Sequence, residues 1–368
     1  MSGIGDASDV SHISHISGMR WSDARHILCI RLDYLGDVLM CTPAMRALRD
    51  SAPGRRLTLL SSPGGVAVAS FIPELDAALA FQAPWMKHGA IQDANAVPAM
   101  AETLRAGRFD AAVIFTTYSQ SALPAAMLCQ MSGIPLRLAH CRENPYQLLS
   151  DWAPETEPQQ QVRHEVQRQL DLVAGIGCRT RDERLSFSVP QADLAWARAA
   201  LAQRGIGPGT PWVLMHPGAT AASRRYPPAQ WAQALRLLAE DGMQAVFTGS
   251  AEEGALIDGI REAAGLPGHS MAGHATLGQL GALIALAPVM VSNNTGPAHI
   301  AAALGTPLVD LYALTNPQHT PWQSPSRVLY HDVACRNCYK SVCPQGHHDC
   351  LSKVAPARVV EAVRSLLM

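Results

Sequence analysis

The feature that most restricts this chain is an alternation, stated twice, of short apolar runs with helical stretches that end at glycine or proline. Ile27-Leu28-Cys29-Ile30-Arg31-Leu32 is nearly continuous in apolar residues, the pattern of a parallel strand covered on both faces. Gly36-Asp37 interrupts it, 38–49 reads as a helix closing before Pro53-Gly54, and 57–61 reads as the next strand. A further strand is expected over 109–115 and a helix over 162–174, ending at Gly175. The grammar restarts at Trp212, with strands over 212–215, 245–248, 289–292 and 308–312. Between them Pro227-Pro228 opens a helix where a missing N–H costs nothing, Ser250 caps one over 251–264, and Thr276 begins one over 276–287. Gly296-Pro297 opens another that Gly305 closes, and 356–368 is a last amphipathic helix. Strands alternating with helices in this way imply right-handed crossovers and doubly wound sheets. The expected fold is therefore α/β, with two Rossmann-like doubly wound parallel-sheet domains facing across a cleft. Its divisions are a mobile leader over 1–23, an N-terminal domain over 24–190, a linker region over 191–210, a C-terminal domain over 211–355 and a closing helix over 356–368.

Composition narrows the function classes. Lys plus Arg is 29 and Asp plus Glu is 30, a formal charge of -1, whereas a general nucleic-acid binder needs a basic excess to meet phosphates. No stretch reaches the roughly 18 apolar residues that a membrane helix needs; the nearest, 280–291, contains Pro288. The N-terminal text has no apolar core of a secretory signal, so the 9 cysteines are expected to be mostly free thiols in a reducing, cytoplasmic compartment.

Ligands of open parallel sheets bind at the carboxyl ends of strands, where helix N-termini point. Three such loops carry unusual residues. In Asp33-Tyr34-Leu35-Gly36-Asp37, Asp37 reads either as a helix cap or as a base taking a proton from an incoming hydroxyl, with Asp33 its rival. In His216-Pro217-Gly218-Ala219, small residues let main-chain N–H groups approach an anion, and Arg224-Arg225 follow with two positive charges. Asn293-Asn294-Thr295-Gly296-Pro297-Ala298-His299 feeds a helix N-terminus suited to phosphate oxygens, with His299 in its first turn. Thr248-Gly249 should line the same side, and Thr315 and His319 are weaker candidates. No loop has the Gly-x-Gly-x-x-Gly or Gly-Lys-Ser/Thr pattern of nicotinamide or P-loop sites. Lys87, Arg137, His140 and Arg142 form a modest basic set in the first half. Cys335, Cys338, Cys343 and Cys350 gather four thiols into 16 residues, a density that suits a structural zinc site pinning a loop without a core, though free thiols or an oxidised pair are equally compatible with it.

Taken in order, the 27–32 run with Gly36-Asp37 and Thr42-Pro43-Ala44, then His216-Pro217-Gly218-Ala219, then 293–304, then Thr315-Asn316-Pro317, resemble the ADP-heptose:lipopolysaccharide heptosyltransferases, glycosyltransferase family 9. The resemblance implies a GT-B fold, inverting transfer and no metal or other cofactor for catalysis. It places the catalytic base on Asp37 and the diphosphate-binding cation on Arg224. It makes His216, Gly218, Ala219, Thr248, Gly249, Asn294, Thr295, Gly296 and His299 the donor side. Asp33, Arg137 and Arg142 become the acceptor side. Asn294 departs from the family signature, which has Asp there. The expected partners are a nucleotide-diphospho-sugar and a glycan or glycolipid acceptor, met by a cytoplasmic protein in transient contact with the inner leaflet, and no nucleic acid. A sugar-nucleotide epimerase or hydrolase of the same fold is the alternative, and a zinc-dependent interaction module a more distant one.

Overall fold

The computed structural model describes residues 19–87 and 93–368. The first sheet contains β1 (His26–Arg31), β2 (Arg56–Ser61), β3 (Ala77–Ala80), β4 (Ala111–Ile114), β5 (Leu136–Cys141) and β6 (Asp151–Pro154), in the order β3-β2-β1-β4-β5-β6. The second contains β7 (Trp212–His216), β8 (Gln244–Phe247), β9 (His269–Ser270), β10 (Met290–Asn293), β11 (Leu308–Leu311) and β12 (Ser326–Leu329), in the order β12-β11-β10-β7-β8-β9. All neighbouring strands run parallel. Counted from its own first strand, the second sheet repeats the topology of the first. Strand order reverses between β1 and β4 in one sheet and between β7 and β10 in the other, and these two switch points are where such sheets hold ligands.

The apolar run of β1 has the burial its pattern implies. Ile27 and Cys29 enter one core layer, and Leu28 and Ile30 enter the layer on the opposite face. The first of these layers does not stop at the first sheet: it continues through Leu214, Met290 and Leu308 of the second. Helix Gln191–Ala202, in the stretch expected as a linker, packs against helix Leu277–Leu286 within this shared layer. Thr276 caps the latter by accepting from the Gln279 N–H. The closing helix Pro356–Leu367 packs on helix Pro228–Glu240 of the second sheet.

Two expectations change. The single helix expected over 38–49 is divided into Leu35–Leu39 and Thr42–Asp50. Pro43 has no N–H to give the Leu39 carbonyl, and the Thr42 hydroxyl donates to it instead at 2.7 Å. The leader reading holds at most for 1–18, which lie outside the described residues. Within 19–23, Trp21 Nε1 donates to Asp151 at 2.9 Å and the Trp21 carbonyl accepts from Arg55 at 2.6 Å, which anchors the segment beside the first sheet.

Candidate functional site

The first switch point is built around a buried cation. Arg31, the last residue of β1, is 0% exposed, so its charge has to be met by protein groups. Three carboxylates surround it: Asp33 at 2.8 Å, Glu165 at 2.6 Å and Asp37 at 3.3 Å. Glu165 opens helix Glu165–Ala174, where His164 caps by accepting from the Val166 N–H. Burial alone would raise Glu165, but chiefly the charges of Arg31 and Arg168 reverse this and hold it down to about 2. Asp33 moves the other way: burial raises its carboxyl, Arg31 only partly offsets this, and Asp37 adds to the rise. Both Asp33 oxygens are engaged, one by Arg31 and the other by Gln120 at 2.7 Å. Asp37 is held more loosely, with Arg31 and the Tyr34 N–H each at 3.3 Å and its side chain 22% exposed. It stands at the third position of helix Leu35–Leu39, reaching back to its start rather than capping it.

The second switch point is largely neutral. His216, the last residue of β7, bonds Thr248 at 3.1 Å, and burial lowers its basicity. Asn293 ties the two strand ends together by donating to the Pro217 carbonyl at 2.7 Å and accepting from the Tyr226 N–H at 3.1 Å. Gly218 leaves no room for a side chain, because a Cβ there would stand 2.0 Å from a Glu253 oxygen. Glu253 also accepts from the Ser250 N–H at 2.9 Å, so its carboxylate stands between the loops after β7 and β8, alongside Gly249. Arg225 is turned onto its own loop, donating to the Ala219 carbonyl at 2.7 Å. Arg224 is half-buried, and its charge acts on His299, Asp310 and His319.

Asn294 spends its amide on the buried Asp310 carboxyl at 3.2 Å and the His319 carbonyl at 2.9 Å, leaving Oδ1 to offer a ligand. Around it lie buried polar atoms without a protein partner: Thr295 Oγ1, His299 Nδ1, Asp310 Oδ1 and His319 Nε2. Burial and the neighbouring cations hold His299 down to about 3 and His319 to about 4, so both rings are neutral. Burial pushes Asp310 up to about 7 against the opposing pull of Asn294 and Arg224. Buried polar groups are normally satisfied, and a concentration of orphans at a switch point marks a surface finished by a ligand.

The two switch points meet. A Cβ on Gly36 would stand 2.7 Å from the His299 ring, and one on Gly296 would stand 2.7 Å from a Leu35 methyl. Glycine at both positions lets helix Leu35–Leu39 seat directly on helix Gly296–Leu304, which places the Asp33–Asp37 loop beside the Asn294–His299 loop. Asp33, Asp37, Arg224, Asn294, Thr295, Gly296 and His299 thus line one region. His216, Gly218, Ala219, Thr248 and Gly249 form its second-sheet rim.

The acceptor-side arginines separate. Arg142 lines a cavity of about 150 Å³ with Tyr118, Gln120, His140 and Glu155. Arg137 does not face it: its guanidinium is buried and donates to the carbonyls of Ile134, Pro135, Gln147 and Leu148, which locks β5 to the following turn and removes it from the acceptor surface. Reasoning from sequence missed Arg31, Glu165, Glu253 and Asp310. An arginine inside an apolar strand was a signal for the first, and the Ser250-x-x-Glu253 capping pattern for the third. Cys335, Cys338, Cys343 and Cys350 line one cavity of about 20 Å³ with His347 and His348. As their side chains stand, no three metal-binding groups among the described residues share a coordination centre.

Comparisons with known proteins bear on the family and the fold. The model of glycosyltransferase family 9 (heptosyltransferase) matches residues 97–348. The chain is 27% identical over 350 residues to lipopolysaccharide heptosyltransferase 2 of Escherichia coli strain K12, covering 93% of this chain and 98% of the relative. Among solved structures, a family 9 glycosyl transferase from Veillonella parvula superposes with a TM-score of 0.78 at 19% identity, covering 95% of this chain and 98% of the other. The ADP-heptose lipopolysaccharide heptosyltransferase II of E. coli superposes with a TM-score of 0.71 at 24% identity, covering 93% and 98%. The shared GT-B fold is that of the paired sheets described above.

Proposed function

This chain belongs to glycosyltransferase family 9, and on that footing we propose that it transfers heptose from an ADP-linked donor to a hydroxyl of the lipopolysaccharide core, with inversion at the anomeric carbon. The observation that carries the reading is the seating of Gly36 on His299 and Gly296 on Leu35, which sets a cluster of carboxylates against a largely neutral pocket where Arg224 has no carboxylate partner among the described residues.

The donor fits the second switch point. Arg224, the main-chain N–H groups of Gly218 and Ala219 and the start of helix Gly296–Leu304 are suited to the two phosphates and to the charge that grows on them as the sugar departs. Glu253, on the loop after the second strand of its sheet, stands where Rossmann folds place an acid against ribose hydroxyls. The orphaned Thr295, His299 and His319 atoms and Asn294 Oδ1 are suited to sugar hydroxyls. The acceptor approaches from the first sheet, past Arg142 and Tyr118. Asp37 serves as the base in preference to Asp33, because its oxygens are held at 3.3 Å and remain able to accept, whereas both Asp33 oxygens are engaged. Arg31 holds the two acids in place, and the departing diphosphate is neutralised by arginine and main-chain donors, so the transfer asks for no metal at the reacting centre. Among the described residues no helix is long and apolar enough to cross a membrane.

Product analysis with ADP-heptose and a truncated lipopolysaccharide acceptor tests this reading. Asp37→Asn should bind ADP as tightly as the parent while kcat falls by about 10²–10⁴-fold. Full activity in Asp37→Asn with loss in Asp33→Asn would exchange their roles. A changed nucleotide-sugar released without acceptor would favour the epimerase instead.

A further inference from the structure

The segment between β12 and helix Asp349–Ser352 has no ordinary reason to be ordered. From His331 to His347 the only residues that are not exposed are Val333, Cys335, Cys338 and Cys343. Its inward face is made of thiols. Fixing such a stretch costs conformational entropy at every residue, and there is almost no apolar burial to offset it. The backbone adds to the cost, with Asn337, Tyr339 and His348 in the left-handed region at φ 60, 53 and 57. Cys350 joins the three thiols in the small cavity, and His347 Nε2 lies 3.7 Å from Cys335 Sγ. The cavity of about 20 Å³ has room for one guest of atomic size. The remaining cysteines, Cys29, Cys41, Cys129, Cys141 and Cys178, are buried in the cores.

This loop touches both halves of the site. On the donor side the Ser223 N–H donates to the Ser341 carbonyl at 3.0 Å, and the Ser223 hydroxyl to the Lys340 carbonyl at 2.7 Å. His348 Nε2 lies 2.6 Å from the Ser223 carbonyl, and Arg224 is the next residue. The Asn337 and Tyr339 N–H groups donate to the carbonyls of Leu314 and Thr315 at 2.7 and 2.8 Å. On the acceptor side the Tyr339 hydroxyl bonds that of Tyr118, and Lys87 Nζ donates to Ser341 Oγ at 3.1 Å.

We propose that Cys335, Cys338, Cys343 and Cys350 bind one thiophilic metal ion, and that this ion pins the loop that holds the Arg224 turn and bridges it to Tyr118 of the first domain. With their side chains turned into the cavity they line, four thiolates would make a closed tetrahedral zinc site, with no open position for chemistry. Its energy organises a loop that burial cannot, and binding releases the thiol protons as the metal–sulfur bonds form. The second half of the proposal, a metal-dependent donor affinity in a metal-free reaction, rests on the donor-site reading of Arg224.

The test uses the whole protein, purified under reducing conditions with zinc. Metal analysis should find about one equivalent, and the four loop thiols should resist a disulfide reagent until the metal is stripped with a chelator, then regain protection when zinc is returned. Free reaction of all four thiols in the presence of zinc, or no retained metal, would overturn the site. Stripping should weaken ADP binding by about tenfold, and Ser223→Ala should weaken it with zinc retained. Unchanged ADP affinity after stripping would overturn the coupling. A protein that holds zinc but never binds ADP would instead refute the donor reading and leave the metal site standing.

Discussion

The two sheets have one topology and opposite interiors where they meet. At the first switch point one buried guanidinium gathers three carboxylates, so its charges are paired within the protein, although Glu165 Oε2 and Gln169 Oε1 lack hydrogen-bond partners. At the second, histidines are held neutral, a carboxyl is pushed towards its neutral form, and among the described residues several polar atoms lack partners and Arg224 has no carboxylate partner. The difference shows how a duplicated scaffold divides labour. The side that must keep a base in register invests in internal ion pairs, and the side that must receive an anion leaves its hydrogen-bonding capacity unspent.

The contrast can be broken most severely at Arg31. Arg31→Met leaves three acids around an uncharged side chain and should cost about 3–5 kcal/mol, read as a lower urea midpoint. Next come pH effects of opposite sign. Glu165 is held at about 2 in the folded protein against 4.5 ordinarily, so its contribution is complete above 4.5 and is lost as pH falls towards 2. Asp310 is raised from 3.8 to about 7, so the folded state is favoured below 3.8 and that advantage is lost as pH rises through 7. At about 1.4 kcal/mol per pH unit the first is worth on the order of 3 kcal/mol and the second on the order of 4. Glu165→Gln should therefore flatten the rise in stability between about pH 2 and 4.5, and Asp310→Asn the fall between pH 3.8 and about 7. Arg224→Met should leave stability within about 0.5 kcal/mol and weaken ADP binding by about 1.5–3 kcal/mol, measured by calorimetry. The smallest effect sharpens the division. Asn294→Asp sets a second acid against Asp310 and should weaken donor binding by about 1 kcal/mol, and adding Asp310→Asn should restore most of it.

How much of this could be read from sequence follows from how local each signal is. The β1 run, the glycine-flanked loops and the helix starts at Thr276 and Gly296 are set by residues within a few positions of one another, and all were legible. Thr42-Pro43 carried the helix break in plain view, but the preceding apolar periodicity masked it. The strands Ala77–Ala80 and Asp151–Pro154 were not legible, since each is four residues long and half-exposed at a sheet edge. The partner of Arg31 lies 134 residues away, and no local pattern ties Glu165 to it. Arg137 was misplaced for a different reason: it lies between Leu136 and Leu138, the same cue that marks Arg31, but was grouped with the other basic residues Lys87, His140 and Arg142.

The core layer that continues from Ile27 and Val113 into Leu214 and Leu308 has a consequence for how such enzymes are recombined. A chimera joining the first half of this chain to the second half of another transferase, cut anywhere near 191–210, would set two unmatched apolar surfaces against each other. Exchange of specificity between relatives is then confined to the loops at the strand ends, where a graft can alter recognition and leave the seam between the halves untouched.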